Sequence, residues 1–227
     1  MGSGNEGWEA RELPDEDGGH GRIEGLGVGL SIKLLSEALR DGQRAADFRT
    51  NASPVYGPGQ IAHIETNETL RLSLMLHGWT LDNEMNIPRI VSPDGTVVLT
   101  STTGNARTGL PRSPEGKEAQ TKKPRGPGAR RIIRQNVQRS LEGMEVEDEK
   151  PKALIWYLLY HRVPNTDILR SELSHAVSVN DAGDLIRWQE RLLLPEIDLG
   201  RDYEGPSPDR GDDIVPDVDV PVHRRAS

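Results

Sequence analysis

A basic, proline-punctuated stretch from Asn105 to Glu142 divides this chain, and whatever fold forms must form around it. Ten Lys or Arg (Arg107, Arg112, Lys117, Lys122, Lys123, Arg125, Arg130, Arg131, Arg134, Arg139) face only Glu115, Glu118 and Glu142 there, a local charge of +7. The whole chain carries −8, so the remainder carries −15. Pro111, Pro114, Pro124 and Pro127 make the first half of the stretch a loop, since proline fixes φ and removes a backbone donor. From Ala129 the pattern becomes helical. Ala129, Ile132, Ile133 and Val137 share a face with Leu141 at its edge, and Arg131, Arg134, Gln135 and Gln138 project oppositely.

The flanks must therefore supply the core. Before the stretch, Ser31 to Phe48 predicts a helix capped by Ser31. Ile32, Leu34, Leu35, Ala38, Leu39, Ala45 and Ala46 lie on one half of its wheel, and Gly42 inside that arc would admit a close backbone approach. Asn51 to Gln60 reads as loop. Thr69 to Trp79 alternates Leu70, Leu72, Leu74 and Leu76 with Arg71, Ser73, Met75 and His77, the period of a half-buried strand. A turn at Leu81 to Asn86 precedes a strand near Ile87 to Val91, and Ser92-Pro93-Asp94-Gly95 turns the chain into Thr96 to Thr102.

After the stretch, Leu154 to Arg162, Asp167 to Val177 and Asp184 to Ile197 read as three strands, the last two joined by a turn at Asn180 to Gly183. Ile186, Trp188, Leu192 and Leu194 share one face of the last strand. Glu190 lies among them and calls for a strand edge or a partner arginine. The expectation is an α+β fold: antiparallel β meanders covered by two amphipathic helices in one domain, residues 25–199, with the basic loop and helix as an insertion.

The ends read differently. Residues 1–24 are rich in Gly and acid, with Trp8 as the sole aromatic residue, and are expected to be a disordered tail. Residues 200–227 are acidic and proline-rich, with an apolar string at Ile214, Val215, Val218 and Val220 that would suit strand addition to a partner's sheet. An apolar fraction of 34% fits a domain with tails.

Cysteine is absent, which excludes disulfide frameworks, thiolate metal sites and cysteine nucleophiles. No signal-peptide pattern opens the chain, and the longest apolar run, Ala153 to Tyr160, falls short of the roughly 20 residues of a membrane span. A bacterial cytoplasmic protein without membrane contact is expected. Arginine greatly outnumbers lysine and is spread over the whole chain, which fits a GC-rich genome as well as it fits phosphate contacts.

Three functional classes remain. The first is a non-enzymatic binding or adaptor protein that holds a polyanion, DNA or RNA before an acidic protein surface. It would use Lys122, Lys123, Arg125, Arg130, Arg131, Arg134 and Arg139, because Lys and Arg contacts to phosphates supply most non-specific affinity. The second is a small metal-dependent nuclease or other hydrolase with Asp167 and Glu172 as ligands, although Ser174 stands where such strands usually carry a lysine. The third is a structural subunit joined through the valine-rich tail. No cofactor is expected. Gly104 to Gly109 has the GxxxxG spacing of a phosphate loop, but Leu110 and Pro111 follow where Lys and Ser or Thr belong. The six histidines form no HxH, HxxxH or HExxH spacing.

Overall fold

The structure, a computed structural model, describes residues 11–13, 19–50, 52–83, 86–122, 153–180 and 184–200. In chain order these form β1 (Arg11–Leu13), α1 (Gly19–Glu24), α2 (Ile32–Asp47), α3 (Gly57–Met75), β2 (Thr80–Asp82), β3 (Arg89–Val91), β4 (Val97–Thr103), β5 (Leu154–Arg162), β6 (Ile168–Val179), β7 (Leu185–Leu193) and β8 (Ile197–Asp198). The fold is α+β. One mixed sheet runs β1-β7-β6-β5-β4-β3-β2, with β8 paired to β6.

Helix α2 forms as its sequence dictates. Ser31 holds an extended backbone (φ −154°, ψ 160°) and its side chain accepts the Leu34 N–H at 3.2 Å, satisfying one of the donors a helix start leaves open. Leu35, Ala38, Leu39 and Ala46 are buried. Gly42 is buried against α3, where a Cβ would meet the Thr66 hydroxyl and lie 2.6 Å from the Ala62 carbonyl oxygen.

Helix α3 overturns a prediction. Thr69 to Trp79 is not a strand, and the expected loop at Asn51 to Gln60 already holds the first turn of α3. Leu70 and Leu74, four residues apart, point inward and are fully buried, whereas Leu72 is 58% and Leu76 86% exposed. The alternation came from two faces of one helix, both carrying leucine. The expected turn at Leu81 to Asn86 likewise begins as β2, paired antiparallel to β3.

Two antiparallel series appear, β2-β3-β4 and β5-β6-β7; the second has the three strands expected, the first only its last two, and the series join in parallel through β4 and β5, from Val97 opposite Leu154 to Thr103 opposite Tyr160. A parallel pair needs a crossover rather than a turn, and residues 104–152, including the basic stretch, supply it. The first part of that crossover also joins two strands that are not neighbours. Thr121 bridges Gly104 just beyond β4, and its amide donates to the Leu185 carbonyl at the start of β7. The Leu185 amide donates back to the Thr121 hydroxyl at 3.0 Å. This links β4 to β7, so β4, β5, β6 and β7 form a ring. Val98, Ile155, Tyr157, Leu159, Ala176, Leu185 and Trp188 pack inside it, and the Trp188 indole donates to the Ala119 carbonyl at 2.7 Å. The opposite face, with Leu99, Trp156, Leu158, Leu173 and Leu192, packs under the helices.

Strand β7 departs from the single apolar face expected of it. The β6–β7 register shifts between His175 and Ala176, so Glu190 opposes His175 while Trp188 opposes Ala176. One extra residue turns Trp188 into the ring and leaves Leu192 under the helices.

The N-terminal segment expected to be a tail is partly built into the domain. β1 lies parallel to β7, Arg11 opposite Glu190 and Leu13 opposite Leu192. Ile23 of α1 is fully buried. Arg22 answers the anomaly at Glu190 with two bonds of 2.9 Å, and its guanidinium lies 5.6 Å from the Trp156 ring centroid. A lone acid or arginine reads as solvated; the two together read as packing. Among the described residues no helix is long and apolar enough to cross a membrane.

Candidate anion-binding cleft

The carboxyl ends of the parallel strands β4 and β5 open beside the N-terminus of α3. In mixed sheets this edge is where loops leave room for ligands. A cleft of about 230 Å³ lies there, between Thr103 and Gly104, Tyr160 to Arg162, the C-terminal turn of α2, Pro58 and Gly59 of α3, and Lys122. Helix α3 begins at Tyr56 without a side-chain cap and carries proline in its first turn. The amide ends of its 19 residues therefore face outward with the positive end of the helix dipole. A Cβ built on Gly59 would meet nothing within 4 Å, so the backbone itself borders open space.

Two cations, Lys122 and Arg162, and one carboxylate, Asp47, line this opening. Lys122 is exposed at its rim. Arg162 binds Asp47 at 2.5 Å and Asp167 at 3.6 Å, answering both the carboxylate at the end of α2 and the one before β6. His161 reports the local field. Burial lowers its pKa, the Arg170 and Lys122 charges lower it further, and the hydrogen bond with the Gly104 backbone only partly opposes them. At neutral pH it is an uncharged imidazole whose Nε2 is buried without a partner. An anion entering here would meet helix amides, a flexible ammonium and a ring able to take up a proton in response.

Of the residues expected to hold a polyanion, Lys122 is placed in this cleft. Lys123, Arg125, Arg130, Arg131, Arg134 and Arg139 lie outside the described residues, as do Ile214, Val215, Val218 and Val220 of the C-terminal string. The first cations of the basic stretch are already engaged. Arg107 donates to the Pro111 carbonyl, Arg112 lies 3.3 Å from Glu118 while its amide donates to Glu12, and Lys117 lies 3.0 Å from Glu115. The stretch thus spends its early charge on its own loop.

The structure does not bring the two acids of the hydrolase reading to one ion site. Asp167 is exposed on the turn before β6 and pairs with Arg162. Glu172 is fully buried inside the ring. Its Oε1 accepts from Arg191 Nε at 3.1 Å and from the Ser174 hydroxyl at 2.8 Å; its Oε2 accepts from Arg191 Nη2 at 2.5 Å and from the Gly109 amide at 2.9 Å. Arg191 also reaches Glu12 and donates to the Leu110 carbonyl at 3.0 Å. Its partners hold the Arg191 pKa above the ordinary guanidinium value despite burial. Nearby Glu118 is shifted upward, chiefly by burial, with the Arg112 and Arg191 charges pulling against it. Among the described residues no group of three His, Asp or Glu could hold a metal ion.

Sequence reasoning missed His161, Arg162, Arg170 and the start of α3. The His-Arg pair closing an apolar strand was visible, but the helix beside it was hidden by the leucine alternation. No protein-family model, curated protein or solved structure matches this chain.

Proposed function

We propose that this chain is a non-enzymatic binding protein that holds a polyanion, nucleic acid before an acidic protein surface, at the cleft and along the basic stretch that leaves it. One observation carries the reading: Lys122, where the cation-rich crossover departs, lies at the amide end of α3 and beside the neutral His161. Phosphates bind where helix amides and lysine or arginine converge. Lys123, Arg125, Arg130, Arg131, Arg134 and Arg139 would then continue the contact along a strand of nucleic acid, giving affinity with little base preference. No aromatic residue accompanies them, so stacking on single-stranded bases adds nothing. The engagement of Glu172 by Arg191 supports binding over metal-dependent hydrolysis.

The test is fluorescence anisotropy with labelled single- and double-stranded oligonucleotides across a salt series. The expected result is an affinity that falls linearly in log salt, with a slope that shrinks when Lys122, Lys123, Arg130, Arg131 and Arg134 are neutralised, and no response to chelator. Absence of binding at low salt overturns the reading and directs the basic stretch to an acidic protein surface.

A further inference from the structure

The described residues hold seven Phe, Tyr or Trp side chains, and five of them are inside the domain: Trp79, Trp156, Tyr157, Tyr160 and Trp188 are each at most 3% exposed. The other two stand in solvent on one connection. Phe48, the chain's only phenylalanine, is 72% exposed at the C-cap of α2, and Tyr56 is 62% exposed at the N-cap of α3. Neither ring stacks on another aromatic side chain among the described residues. A single exposed apolar residue is ordinary; two rings on the same loop mark a contact surface.

That loop borders the anion cleft. Asp47, next to Phe48, and Pro58 and Gly59, just past Tyr56, are among the cleft's walls. Consecutive Cα atoms lie about 3.8 Å apart, so both rings are anchored within a side chain's length of the opening. We propose that the cleft takes single-stranded nucleic acid, with a phosphate held inside it and the flanking unpaired bases stacked on Phe48 and Tyr56. The inference rests on the polyanion reading and narrows it. Along the basic stretch stacking adds nothing, because no ring stands there; the cleft mouth supplies the rings that the stretch lacks. Every base has a π face, but in a duplex the neighbouring pairs cover it, so rings on a protein surface reach only unpaired bases.

Charge selects this occupant over a protein surface. Residues 48–64 include no Asp or Glu, in a chain whose net charge is −8. Arg49, beside Phe48, is exposed, and among the described residues it holds only the Ala45 carbonyl, at 3.5 Å. Asp47, the carboxylate in the cleft wall, is already occupied by Arg162 at 2.5 Å. Rings interleaved with a guanidinium, an ammonium and helix amides, with no acid left to compete, match a strand in which bases alternate with phosphates. An apolar protein partner would cover the rings and leave the cations beside them unanswered. A second copy related by a two-fold axis through Phe48 would set Arg49 against Arg49.

The experiment is fluorescence anisotropy of the full chain with three labelled probes of equal length: a single strand of mixed sequence, its duplex, and an abasic strand with the same phosphates. Phe48→Ala and Tyr56→Ala should each weaken single-strand binding about five- to hundredfold, while duplex binding, abasic-strand binding and the salt slope stay unchanged. Phe48→Leu keeps apolar bulk without a π face and should lose nearly as much, whereas Tyr56→Phe should lose little. Both side chains are mostly exposed, so urea midpoints should not move. Unchanged single-strand affinity in the double variant Phe48→Ala with Tyr56→Ala overturns the proposal and leaves the polyanion reading standing. Equal loss on all three probes overturns it too, since the rings would then not be reading bases. Failure of the unsubstituted chain to bind any probe at low salt overturns both readings together. A dimer in sedimentation that Phe48→Ala dissociates, with strand affinity unchanged, assigns the rings to a second copy instead.

Discussion

Glu172 and Arg191 meet inside the strand ring with Oε2 and Nη2 2.5 Å apart, and neither side chain is exposed to solvent. A buried pair is often no more stabilising than an apolar replacement, but removing one partner strands the other charge in a medium that cannot solvate it. Glu172→Ala should cost about 3–5 kcal/mol in urea unfolding. The double substitution Glu172→Leu with Arg191→Met should cost much less than the sum of the single changes. Strict additivity would show that the two charges are not coupled.

The N-terminal segment should behave as part of the core. Ile23 is fully buried, so Ile23→Ala should destabilise by about 2–5 kcal/mol. Deleting residues 1–24 removes β1 and α1 and leaves Glu190 without Arg22, and should lower the urea midpoint further. An unchanged midpoint would return the segment to the status of a tail.

Gly42 is where α2 touches α3 most closely, with the Ala62 carbonyl 2.6 Å from the place a Cβ would take. Backbone cannot step aside as a flexible side chain can. Gly42→Ala, which would raise helix propensity at an exposed site, should instead destabilise by about 1–3 kcal/mol. Calorimetry reads the sign directly, and a raised Tm would contradict the packing.

His161 should make stability and binding depend on pH in opposite directions. Its folded pKa lies below the ordinary imidazole value, so as pH falls the unfolded chain takes up the proton first. The stability it confers is complete above the ordinary value and is lost as pH drops from there through the folded value. His161→Gln should flatten that part of the stability profile, measured as urea midpoint against pH. A bound phosphodiester, which does not itself titrate there, favours the imidazolium. Oligonucleotide affinity should therefore rise over the same interval, and the rise should vanish in His161→Gln.

Much of the fold was legible because local physics decided it. Ser31 caps α2 through its own side chain, Asp94 turns the chain by accepting the Thr96 amide and hydroxyl, and β5 is apolar on both faces because both are covered. The miss at Thr69 to Trp79 has a specific cause. Sequence periodicity counts apolar residues but cannot say which of them are buried, and α3 carries leucine on an inward and an outward face. The cleft was legible only through Lys122, because its other walls come from residues 18 to 79 positions away in the chain.

By itself the sequence determined the caps, the turns, the strand-forming runs and the charge asymmetry between the crossover and the rest. Each of these rests on interactions within a few residues, which any fold would preserve. Tertiary structure alone decided that β4 and β5 run parallel, that Thr121 links β4 to β7, that an acidic N-terminal segment supplies β1 and the partner of Glu190, and that Glu172 is an ion-pair partner held by Arg191. Those outcomes depend on which distant groups can satisfy one another's hydrogen bonds and charges once water is excluded, a property of the assembled chain and of no segment within it.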